Sequence, residues 1–362
     1  MADAKVVLVG DIDRGGVFAQ IIGTLDLITP EERDRVCGIV INKFRGDAAL
    51  FADGVRFLTE RTGIPVLGIL PFLRDLALDQ EDSLDVDIRR QVAFQRDCIN
   101  LAVILLPHMS NFTDFNALAG EPDVALRYAA TPEEAAGADA ILLPGSKTTL
   151  ADIAYLRGKG FESLLHGHVH RGGEVVGICG GYQMLGRRIA DPDAVESGGS
   201  GEGLGLLQVT TVLMREKITE QVEGRALYLG GPAAPPVRGY LIHMGRTDRH
   251  GHRACFELQG KEPSPAGPRD VTERDDAWLD GAMSDDGLVW GTYIHGLFDE
   301  PLCRRAWLNR LRIRKGLPAA DMALSQQVNR QRSGAMDRWA DHVEQHLDLT
   351  PILALLRQGG TV

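Results

Sequence analysis

Along the chain, short runs of consecutive apolar residues alternate with longer stretches in which apolar positions recur every three to four residues. Runs of the first kind, rich in Val, Ile and Leu, suit strands covered on both faces, and the second kind suits amphipathic helices. Their alternation predicts an α/β protein built on parallel sheet. Lys5–Gly10 (KVVLVG) predicts a strand, Gly15–Leu27 the helix after it, Cys37–Asn42 (CGIVIN) a second strand, Ala48–Gly63 a helix and Val66–Leu70 (VLGIL) a third strand. Residues 74–95 are charged and polar, so a domain boundary is placed there, dividing the chain into 1–95 and 96–362. A second set of strands opens at Ile99–Leu106 and continues with Ala140–Leu143 and Glu174–Ile178. Residues 191–203 and 259–286 read as exposed loops, and Asp321–Leu356 as terminal helices.

A length of 362 residues accommodates two domains. Hydrophobic residues at 44% and charged residues at 25% exclude a disordered tail, a collagen and a disulfide scaffold. Thirty-nine basic against fifty acidic side chains give a net charge of −11, which argues against nucleic acid or an anionic membrane as a partner held by bulk charge. The five cysteines form no CxxC pair, so neither a zinc site nor a disulfide framework is signalled, and a reducing cytoplasm fits. No signal peptide is read at the N-terminus, and no apolar run approaches the ~20 residues that span a bilayer. Glycine, at 42 residues, is well above its usual share, as expected where backbone approaches a ligand closely.

The sharpest chemical signal is EVVGICGGYQMLG at Glu174–Gly186. An apolar strand runs into Cys179, two glycines follow and a helix begins, which is the strand–turn–helix layout of a nucleophile elbow with sulfur as the nucleophile. The helix N-terminus favours a thiolate, and the Gly180 N–H faces the place where an oxyanion would form. The competing reading is a buried structural cysteine. A thiol nucleophile needs a base, and VWGTYIHGLFD places His295 at the end of another apolar strand. LPGSK, ending a third strand, offers the backbone at Gly145 as a second oxyanion donor. Asp11, Asp13 and Arg14 in GDIDRGG sit at a strand end, where α/β proteins bind phosphate, magnesium or other ligands, with a structural turn as the alternative. HGHVH (His166, His168, His170) has zinc-like spacing but no third ligand nearby, so no metal site is assigned.

GICGGYQMLG together with GTYIHGLF resembles the triad-type glutamine amidotransferase domain. With VVLVGDIDRGGVFAQIIGT, GIVINKFRGD, LPHMSNFTDFNAL, LPGSKTTLADI and GYLIHMGRT, the likeness narrows to the cobyric acid synthases and runs from about residue 5 to 300. The resemblance implies a dethiobiotin-synthetase-like ATP domain, here partial, followed by a glutamine amidotransferase domain. Cys179 would attack the side-chain amide of glutamine and His295 would act as base and then acid. Gly145 and Gly180 would hold the oxyanion, and Gln183 would position the substrate. ATP and Mg²⁺ would activate the b, d, e and g carboxylates of adenosylcobyrinic acid a,c-diamide for displacement by ammonia. Asn42 falls at an adenine-reading position, His243 either contacts the corrinoid or packs, and Arg45 and Asp47 are undecided. A homodimer is an allowed assembly.

Two departures stand out. Many triad-type amidotransferases carry a glutamate two residues after the histidine, whereas this chain has Leu297, so His295 is oriented by another group or works as a dyad. No GxxxxGK[ST] phosphate loop occurs, and in the family that loop precedes the point where this sequence starts, which leads to the expectation that this chain alone performs the glutaminase half. The other readings are a cobyrinic acid a,c-diamide synthase-like enzyme, a stand-alone glutaminase subunit and a non-catalytic corrinoid-binding module.

Overall fold

The computed structural model describes residues 4–73, 90–230, 233–260 and 277–358, and these fall into two compact units, one within Met1–Leu78 and Gln331–Val362 and one within Asp79–Arg330. The first unit is built on three parallel strands, Val6–Asp11, Val36–Phe44 and Val66–Pro71, with Val36–Phe44 in the centre. Successive side chains of the central strand point to opposite faces. Ile39 and Ile41 pack with Val17, Ile21 and Leu25 of the Val17–Leu27 helix and Leu58 of the Ala52–Thr62 helix. Val40 turns the other way and packs with Leu67 and Leu70 against Trp339, Val343, Leu347 and Ile352. The C-terminal residues from 331 onward therefore group with this sheet, whereas the sequence division placed them with the second domain. The physical reason is the second apolar face of the sheet. The chain meets it closely, with the Asp348 N–H donating to the Leu67 carbonyl at 2.7 Å and the His342 ring to that of Pro71 at 2.9 Å.

The second unit contains a six-stranded sheet in the order Ala282–Met283, Val289–Thr292, Glu174–Ile178, Ala140–Leu143, Ile99–Ile104, Val124–Ala129. All neighbours are parallel except the Ala282–Met283 edge. Every residue of Ile99–Ile104, Ala140–Leu143 and Glu174–Ile178 is buried, as their largely apolar composition suits, with Asn100 and Glu174 as the buried polar members. Beside it stands a second, mainly antiparallel sheet built on Thr210–Ala226 and Pro236–Asp248, whose last member, Ile294–His295, pairs with Tyr240 and Leu241. Parts of the predicted loops are strands in this sheet or at its border. Gly199–Glu202 pairs with Arg188–Asp191, and Ala277–Asp280 pairs with Phe256–Gly260. Ala277, Trp278 and Met283 are buried, which short apolar pairs flanked by polar residues do not announce. Residues 261–276 of the second predicted loop and 74–89 of the predicted boundary lie outside the described residues.

Candidate active site

The buried Glu174–Ile178 strand ends at Cys179, whose N–H donates to the Thr292 carbonyl at 2.8 Å. Cys179 takes φ 52° and ψ −109°, a backbone conformation that side-chain-bearing residues rarely adopt and that concentrates at functional sites. The Gly180–Leu185 helix starts at the next residue. Two glycines make so sharp a bend feasible. A Cβ on Gly181 would lie 2.1 Å from the Leu143 carbonyl oxygen, and one on Gly177 would lie 2.6 Å from the backbone of Gly181 and Tyr182. The thiol is nearly buried, and its Sγ points to the Ile242 carbonyl at 3.8 Å.

His295 is 1% exposed, and its Nδ1 lies 2.7 Å from Asp114 Oδ2. The other carboxylate oxygen of Asp114 accepts the Gly296 N–H at 2.9 Å. Asp114 sits in the short Phe112–Phe115 turn, which follows Asn111 in the left-handed region at φ 55°. The Asn111 amide donates to the Tyr240 hydroxyl at 2.9 Å, and the Tyr240 ring stacks on the His295 ring with centroids 5.4 Å apart. Burial alone would lower the imidazole pKa. Hydrogen bonds to Asp114 and to the Cys179 sulfur, with the negative charge of both, outweigh it and raise the pKa to about 10. The site thus favours an imidazolium facing the sulfur at neutral pH. Burial and the nearby Asp114 charge push the Tyr240 phenol up as well.

Asp114 is the residue that sequence reasoning missed. It belongs to the quoted SNFTDFNAL stretch, and an acid among polar and aromatic residues is the only local signal. Its link to His295 crosses 181 positions of sequence.

The structure brings three further predicted residues near Cys179 and His295. A Cβ on Gly145 would lie 3.5 Å from His295 Cε1, so the LPGSK turn abuts the imidazole. A Cβ on Gly180 would lie 2.7 Å from the Ser146 nitrogen, placing that turn against the helix start too. Gln183 is buried, and its amide donates to the Tyr293 hydroxyl at 3.2 Å. His243 stacks on Tyr293 at 3.8 Å and its Nδ1 lies 2.8 Å from the Gly245 carbonyl. With Tyr182, Arg246, Trp278 and Tyr293 it lines a cavity of about 890 Å³.

Asp11, Asp13 and Asn42 belong to the first unit, at the carboxyl ends of its strands. Asp11 pairs with Lys43 at 2.9 Å and Asp13 with Arg45 at 2.6 Å, and each cation holds its partner carboxyl below the ordinary range. The Asn42 side-chain oxygen accepts the Lys43 N–H, and Arg45 lies 3.6 Å over the Phe72 ring. Asp47 caps a turn by accepting the Ala49 N–H. His166 and His168 place ring nitrogens on the carbonyls of Leu204 and Glu174, and among the described residues no group of three or more metal-ligating side chains gathers.

The CobB/CobQ-like glutamine amidotransferase domain matches residues 100–302, more than half of the chain, and an AAA domain matches residues 1–80. A cobyric acid synthase of Citrobacter koseri is 45% identical over 367 residues, covering 99% of this chain and 69% of that one. One from Syntrophobacter fumaroxidans is 41% identical over 366 residues, covering 98% and 69%. Among solved structures, PurLQS from Thermotoga maritima aligns with a TM-score of 0.40 and 15% identity, covering 66% of this chain and 98% of that one.

Proposed function

The chain belongs to the cobyric acid synthase family of glutamine amidotransferases, and on that premise we propose that its second unit hydrolyses glutamine with Cys179 as nucleophile and His295 as base and acid. The observation that carries this reading is the nearly buried thiol at a strained strand-to-helix bend, beside a buried imidazole whose Nδ1 is held by Asp114 at 2.7 Å. Sγ attacks the side-chain amide carbon, and the backbone at Gly145 and Gly180 steadies the oxyanion. His295 gives a proton to the departing ammonia, and water then clears the thioester to release glutamate. Gln183, held by Tyr293, acts on substrate position through the elbow helix.

In the family that ammonia goes to ATP-dependent amidation of the b, d, e and g carboxylates of adenosylcobyrinic acid a,c-diamide, and this chain, in which no GxxxxGK[ST] loop occurs, supplies the glutaminase half. The AAA domain match supports use of ATP. Asp11 and Asp13 are hard oxygen donors of the kind Mg²⁺ takes, and a magnesium–nucleotide would replace their present pairings with Lys43 and Arg45. Bound there, such a group supplies the phosphoryl that activates a carboxylate. The cavity beside His243 supports a corrinoid contact, being of the size that ligand pockets have.

Ammonia release from glutamine tests the core of the proposal. Cys179→Ala is expected to lower it by on the order of 10³-fold or more, as loss of a nucleophile does. Equal rates in the two proteins would remove the mechanism. Adding ATP, Mg²⁺ and the diamide to the wild type then asks whether amidated corrinoid appears, which tests the second half separately.

A further inference from the structure

We propose that Asp114 is the third member of the catalytic set, a positioning carboxylate delivered from upstream of the nucleophile in place of an acid two residues after the histidine. The inference rests on the glutaminase reading above.

Position +2 from His295 is Leu297, which is 1% exposed and part of the core, so it supplies no acceptor. Asp114 occupies the vacated role by a different route. It is 4% exposed, and its two oxygens are both committed, one to His295 Nδ1 and one to the Gly296 N–H. That double attachment fixes the carboxylate in relation to the ring and to the backbone carrying the ring. With Nδ1–H donating to Asp114, Nε2 is the nitrogen left for the Cys179 proton, and the ring cannot turn without breaking a 2.7 Å contact.

The same loop secures the ring from its face. Asn111 holds the Tyr240 hydroxyl, and Tyr240 stacks on the imidazole. Ser110 pairs with Gly145, the turn that abuts His295 Cε1. Residues 110–114 therefore touch the ring, the aromatic cover and the proposed oxyanion turn. The charged and titratable groups facing His295 are Asp114 from this loop, Cys179 from the elbow and Tyr240 from the neighbouring strand. In the resting pair the proton already sits on Nε2, and Sγ bonds to the amide carbon as the thiolate. That proton leaves with ammonia when the C–N bond breaks, and Nε2 takes a proton from the attacking water as the C–S bond breaks, which restores the pair. Asp114 keeps its charge throughout and stabilises the imidazolium of both halves.

Asp114→Asn preserves the acceptor for Gly296 but turns an NH₂ toward Nδ1, which forces the proton onto Nε2 and points it at the sulfur. Glutaminase kcat is expected to fall by on the order of 10²–10⁴-fold with KM for glutamine changed by less than about threefold. Iodoacetamide labelling of the Cys179 peptide, followed by mass spectrometry, compares the reactivity of the sulfur in wild type and variants at one pH. At pH 7 the labelling rate of Asp114→Asn is expected to be at least about tenfold below that of wild type. Asp114→Glu is expected to restore labelling and kcat in part. An Asp114→Asn protein with wild-type kcat and wild-type labelling would overturn the assignment, as would an Asp114→Glu protein no more active than Asp114→Asn. Absence of glutaminase activity in wild type would sink the underlying reading instead, so the two failures are told apart.

Discussion

A buried imidazole with a pKa of about 10 ties part of the folding free energy to pH. In the unfolded chain a histidine titrates near 6.5. Because the folded value is higher, the stabilisation is complete below about pH 6.5, declines as pH rises and is lost above about 10. Wild type is therefore expected to lose melting temperature between pH 7 and 10 more steeply than His295→Gln, measured by circular dichroism at fixed ionic strength. Parallel curves for the two proteins would show that the ring is not charged in the fold. The opposite sign holds for Asp11 and Asp13, whose lowered pKa values make their ion pairs a contribution that fades as pH falls. Both acids are substantially exposed, so solvent screening keeps that contribution small.

At the scale of elements, the elbow depends on two backbones passing closer than any side chain allows. Gly181→Ala would place a methyl 2.1 Å from a carbonyl oxygen of the neighbouring strand, with no flexible side chain to yield. The variant is expected to lose about 3 kcal/mol of stability and at least about 100-fold in glutaminase rate, because the displaced sulfur leaves its attack geometry. Urea unfolding and ammonia release measure the two effects. The elbow was legible in the sequence because one continuous segment carries the strand, the cysteine and the glycines. The parallel strands around it were legible for the same reason, each being a short, nearly continuous apolar run. The antiparallel hairpin was not. Its first strand, Thr210–Ala226, exposes Arg215, Glu216 and Lys217 in mid-course, so its alternation is interrupted where a strand would be recognised. Asp114 was illegible for a different reason. Pattern along the chain reports local neighbours, and the partner that gives this acid its meaning is brought to it only by the pairing of distant strands.

For the whole molecule, burial of the first unit's sheet requires both ends of the sequence. Val40, Leu67 and Leu70 have Trp339, Val343, Leu347 and Ile352 as their cover. Trp339→Ala is expected to cost about 2 kcal/mol, less than a fully enclosed tryptophan because Trp339 is only partly buried. Hydrogen exchange should then quicken in Val36–Phe44 and Val66–Pro71, whereas Ile99–Ile104, in the core of the other unit, keeps its protection. Unchanged exchange in both central strands would mean that the terminal helices contribute no cover. Sequence separation has a further consequence in the second unit. The acid and the ring that it holds are 181 residues apart, with the nucleophile between them. Closing so long a span belongs to the late, slow part of folding. A ribosome-bound chain that has emerged only as far as Cys179 carries the thiol without the ring and the hydrogen bond that holds it, and on the proposed mechanism it leaves glutamine untouched until His295 has followed.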